Sequence, residues 1–131
     1  MKIALASSKK SVVQILPLIK EILVSQIIGV QVKEALADNN LDLINEVSQL
    51  SGFDLIAVVL FYEEDSHDIK ILMEKLVDID LSGKKIMKFL EKGEDFSEEE
   101  EAERIAGEIL GKLFGKKETP VDDGYGSFTT L

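Results

Sequence analysis

The chain has no cysteine and no tryptophan, a single histidine, two prolines, and 15 Lys and Arg residues against 25 Asp and Glu. Without cysteine there are no disulfides, no thiolate chemistry and no Cys-based zinc site, which fits a reducing, cytoplasmic setting. The formal net charge of −10 denies the chain the positive footprint that binding to DNA or RNA requires. No apolar run approaches ~18 residues and no basic segment precedes an apolar one at the N-terminus, so neither a membrane span nor a signal peptide is expected. Any imidazole chemistry must centre on His67. What remains is 131 residues, 45% of them hydrophobic, enough for one domain with a proper core. Abundant Lys and Glu with little Gln resembles thermophile usage.

The densest signal is Phe53 to Asp68, FDLIAVVLFYEEDSHD. An unalternated apolar run of strand length, followed at one step by acidic residues, reads as an interior strand covered on both faces. Further strands are expected at Lys2–Ala6, Ser25–Val32 and Lys84–Leu90. Between them, helical periodicity runs from Val12 to Leu23, from Leu41 to Leu50, and from Ile69 to Ile79 behind a cap at Asp65 or Ser66. A fourth helix follows the capping box Ser97–Glu100 and ends at Gly115. Pro17 predicts a kink in the first helix, if that helix begins at the Ser cap near Ser11; alternatively the helix begins near Pro17. The alternating order predicts an α/β three-layer sandwich of flavodoxin-like type. Its four parallel strands take the order 2-1-3-4, with four helices on the two faces. The domain spans residues 1–115. Residues 116–131, KKETPVDDGYGSFTTL, carry no period and read as a flexible tail whose two aromatic residues and terminal leucine could engage a protein partner.

In open α/β sheets ligands sit past the carboxyl ends of the strands. His67 falls at such an address and is the candidate catalytic group. Glu63, Asp65 and Asp68, with Glu64, are candidate ligands for a divalent cation; equally, they answer the dipole of a helix N-terminus. Ser7, Ser8, Lys9 and Lys10, followed by Ser11, could cradle an anion between the first strand and helix; equally, they form an ordinary Ser cap with solvated lysines. Lys33 and Glu34, after the second strand, could complete a polar rim or be a solvated loop. The Glu98–Glu101 run reads as a helix start.

The stretch from Gly52 to Leu81 resembles the core of the lumazine synthase family, to which archaeal riboflavin synthase is related. Phe53-Asp54 stands at the strand start and His67 near the position of the family's catalytic histidine. Gly83–Phe89 resembles the following strand and Ile109–Phe114 the closing helix. The resemblance implies a flavodoxin-like fold, assembly into a homo-oligomer, and His67 as a proton shuttle. The chain departs from the family at three places. Tyr62-Glu63-Glu64-Asp65 replaces the glycine-rich phosphate loop, Val32–Leu36 replaces a proline-glycine segment, and Ala6-Ser7-Ser8 replaces a stacking aromatic. The expectation is therefore a divergent relative, non-catalytic or of altered activity, able to hold a small polar or heteroaromatic ligand at the carboxyl edge of its sheet. The alternatives are an active riboflavin-pathway transferase and a scaffold acting through its tail. Response-regulator receivers share the layout, but their acidic residues after the first strand are replaced here by Ala-Ser-Ser.

Overall fold

The computed structural model describes residues 1–115. Four strands alternate with four helices: β1 (Lys2–Ser8), α1 (Leu16–Gln26), β2 (Gln31–Ala37), α2 (Asn40–Gln49), β3 (Leu55–Tyr62), α3 (His67–Leu81), β4 (Ile86–Lys92) and α4 (Glu98–Phe114). The strands form one parallel sheet in the order β2-β1-β3-β4. The chain is thus a three-layer α/β domain of flavodoxin-like type.

Side chains alternate across a strand, and β3 shows the consequence. Its odd residues Leu55, Ala57, Val59 and Phe61 pack with Ile19 and Leu23 of α1 and Ile105 and Ile109 of α4. Its even residues Ile56, Val58 and Leu60 pack with Leu43 and Val47 of α2 and Leu72 and Leu76 of α3. Both faces are covered, so both sets must be apolar. That is why the run from Leu55 onward shows no alternation. The two cores share β1 and β3, which makes the centre of the sheet the most protected part of the domain.

Several boundaries differ from the sequence expectation. Helix α1 starts at Leu16 with Pro17 in its first turn, so the reading of a helix beginning near Pro17 holds and that of a kinked helix from Ser11 does not. A first-turn N–H has no partner inside a helix, so the proline removes nothing. Strand β2 is Gln31–Ala37, not Ser25–Val32. Ser25 and Gln26 finish α1, because Ile27 extends the buried stripe of Leu16, Ile19 and Leu23. Gly29, at φ 76°, then turns the chain. Ser7 and Ser8 belong to β1 and are buried, not a helix cap in a loop. Strand β4 begins two residues later than expected, at Ile86. The caps expected before α3 and α4 are found, at Ser66 and Ser97, and α2 is capped as well. Asn39, Ser66 and Ser97 accept hydrogen bonds from the backbone N–H groups of Asp42, Ile69 and Glu100.

Candidate functional site

The carboxyl ends of β1 and β3 mark the place where the chain order reverses, and a crevice normally opens there. Strand β1 pairs with β3 only as far as Ala6 and Val58. Beyond that point the strands part, and the segment after β1 turns back into the gap. Val12 N–H donates to the Phe61 carbonyl at 2.8 Å. Phe61 N–H donates to Ser11 Oγ at 3.0 Å, and Ser11 Oγ in turn donates to the Val13 carbonyl at 2.8 Å. Gln14 Nε2 donates to the carbonyls of Ser8 and Ser11. From the other side, the segment after β4 lays Phe96 against Phe61, ring centres 4.5 Å apart and edge to face. Gly93 N–H donates to the Tyr62 carbonyl at 2.9 Å and fixes that approach. The crevice is therefore filled by the protein's own backbone and an aromatic pair.

The residues singled out from the sequence are distributed around this plug. Ser8 Oγ accepts from Lys10 N–H at 3.0 Å, and Ser7 is buried; neither hydroxyl stands in an open loop. Lys9 leans toward β2, its ammonium 2.9 Å from the Asp38 carboxylate and its N–H on the Ala37 carbonyl. Lys33 lies inside β2, opposite Ala4 of β1, so it corrects the expectation of a rim residue after the strand. Glu34 is likewise within β2. Glu63 and Asp68 are exposed. Asp65 pairs with Lys92 of β4 at 2.7 Å. Among the described residues, no group of three His, Asp or Glu side chains gathers as a cation cage.

His67 is the first residue of α3, exposed, immediately after the Ser66 cap. Beside it runs a shallow groove of about 590 Å³ lined by Asp65, Ser66, His67, Ile69, Lys70 and Met73. Ser7, Ser8, Lys9, Lys10 and Lys33 take no part in its lining. The hydroxyl and lysine set therefore belongs to the β1–β2 side of the edge, and the histidine to the α3 side.

Electrostatics at this edge is governed by two cations. Lys92 is held above its ordinary value by the hydrogen bond and charge of Asp65. Arg104 loses water on burial, which works against its charge, but hydrogen bonds to Glu101 and Glu91 outweigh that and hold it more firmly protonated. Arg104 also reaches Glu108 at 2.8 Å, so α4 is stitched to the end of β4 by one guanidinium.

Two further hollows, of about 350 and 320 Å³, lie at the opposite edge, where β3 and β4 begin; both are lined by Asp54 and Lys85. The glycines Gly52 and Gly83, both with positive φ, help to line the first of them. Ser11, Val12 and Phe96, which fill the crevice, carried no signal of that role. No protein-family model matches this chain, and no curated protein matches it.

Proposed function

We propose that this chain is a divergent, non-catalytic relative of the lumazine and riboflavin synthases that acts by association, as a homo-oligomeric α/β protein. The observation that carries the reading is the filled crevice. Where a small-molecule α/β enzyme needs a hollow flanked by convergent polar groups, Ser11, Val12 and the Phe61–Phe96 pair occupy the space. The departures from the family pattern point the same way. The acidic Glu63-Glu64-Asp65 segment opposes a phosphate-bearing substrate, and of the lysines proposed as anion contacts Lys9 is paired with Asp38 and Lys33 lies within a strand. The test is the mass of the full chain in solution by sedimentation equilibrium. An assembly of two or more copies supports the reading; a monomer at every concentration up to the millimolar range overturns it.

The groove beside His67 favours a second reading: a small heteroaromatic ligand stacked along Ile69 and Met73, with the imidazole as hydrogen-bond partner. Calorimetric titration with a flavin-type heterocycle distinguishes it. Binding that is lost in His67→Ala supports it, and no heat with the wild-type chain removes it. The expectation of a partner held by Tyr125, Phe128 and Leu131 falls on residues 116–131, outside the described residues.

A further inference from the structure

We propose that the outer flank of α1 together with the outer edge of β2 is the face through which two copies of this chain associate, with β2 paired antiparallel to itself around a two-fold axis. The proposal rests on the association reading above and names its partner and its surface.

Among the described residues β2 ends the sheet, and its outward groups can be identified. Gln31 donates its N–H to the Met1 carbonyl, and the Ala37 carbonyl accepts from Lys9. Alternate residues of a strand aim their backbone groups the same way, so Gln31, Lys33, Ala35 and Ala37 turn toward β1. The N–H and C=O groups of Val32, Glu34 and Leu36 then face outward. The β1–β2 register runs unbroken through seven residue pairs from Lys2–Gln31 to Ser8–Ala37. No proline or bulge blunts the edge, and such an edge is a template for another strand.

The surface beside that edge is apolar. Val24 is 51% exposed, Ile28 103% and Leu36 46%. Pro17, Lys20 and Val24 fall along one side of α1, and Ile28 follows in the turn after it. A groove of about 620 Å³ lies between that side and Glu34 of β2. Exposed apolar residues grouped this way mark an interaction site more often than chance.

Charge selects the occupant. The chain carries −10 overall, so two copies repel in most orientations. Residues 11–37 contain only Lys20, Glu21, Lys33 and Glu34 as charged groups, two of each sign and a net of zero. This is where an acidic chain can approach its own copy. A two-fold axis through Ala35 sets Glu34 opposite the partner's Leu36, whereas an axis through Glu34 would set two carboxylates face to face. It also keeps both α1 helices on one face of the joined sheet and brings their middles together, with Lys20 beside the partner's Glu21. An isologous contact of this kind closes at two copies.

Sedimentation equilibrium on the full chain tests this. The wild type forms a dimer. Val24→Glu and Leu36→Glu each shift the monomer–dimer midpoint at least about tenfold to higher concentration. Both positions are exposed, and circular dichroism checks that the fold is kept. Lys20→Glu weakens the dimer, and adding Glu21→Lys restores it; this charge swap carries the test should either apolar variant fail to fold. A wild-type assembly indifferent to Val24→Glu and Leu36→Glu places the interface elsewhere and overturns the proposal while leaving association intact. Failure of the swap to restore the dimer, or a mass of three or more copies, overturns the two-fold geometry. A wild-type monomer at every concentration overturns both this proposal and the association reading. A monomer whose Val32, Glu34 and Leu36 amides exchange slowly with solvent gives the edge to residues 116–131 of the same chain, and that also overturns it.

Discussion

Ser11 is the residue on which the carboxyl edge turns. Its hydroxyl satisfies the N–H of buried Phe61 and holds the returning segment through the Val13 carbonyl. Ser11→Ala leaves that N–H without a partner away from water, and a lost buried partner costs about 1–3 kcal/mol. Urea denaturation is expected to show a lower midpoint of that size with an unchanged slope. Lys92 and Asp65 make a prediction of a different kind. Lys92 titrates above its ordinary 10.5 in the folded chain because Asp65 bonds its ammonium. A cation with a raised folded value contributes stability that is fully present below the unfolded value and lost as pH rises through the folded one. The stability difference between the wild type and Asp65→Asn should therefore be constant at neutral pH and vanish above about pH 10.5, read from thermal melts across that range. Both partners are exposed, so the difference is small and salt-sensitive.

At the scale of the element, α1 shows how one boundary changes an energetic expectation. A proline inside a helix costs roughly 3 kcal/mol, so Pro17→Ala in a kinked helix would stabilise the protein strongly. In the first turn the ring removes no hydrogen bond and restricts the unfolded chain. Pro17→Ala is therefore expected to be neutral or to destabilise by about 0.4–1 kcal/mol, measured by the same denaturation. The apolar periodicity of residues 12–23 was legible because it is a property of local spacing. Its start is open in the sequence between Ser11 and Pro17, because Val12 and Val13 look like helix residues until Val12 bonds the Phe61 carbonyl and Ser11 holds Val13. The end of α1 was missed for a related reason. Ser25–Ile28 has strand-like composition, yet Ile27 completes the helical stripe and is buried, and tertiary burial outranks propensity.

For the whole molecule the dominant quantity is charge. A net of −10 repels itself within the compact state, and screening relieves that repulsion. Raising NaCl from about 0.05 to about 0.5 M, where the Debye length shrinks severalfold, is expected to raise the melting temperature of the chain. A melting temperature that falls instead would show that specific ion pairs such as the Arg104 cluster outweigh the diffuse repulsion. The same charge bears on assembly, because it confines self-association to surfaces that are locally neutral.

The sequence by itself determined the element order, the parallel sheet in its 2-1-3-4 arrangement and the caps of α3 and α4. These follow from hydrophobic period, burial on two faces and short-range hydrogen bonding, all of which are written in neighbouring residues. Tertiary structure alone decided whether the carboxyl edge is open or closed. That outcome depends on Ser11 and Val12 meeting Phe61 fifty residues along the chain, and on Phe96 reaching the same ring from the segment after β4. A hydrogen bond between distant residues leaves no period in the sequence, so the address of His67 could be read there while the filling of the crevice beside it could not.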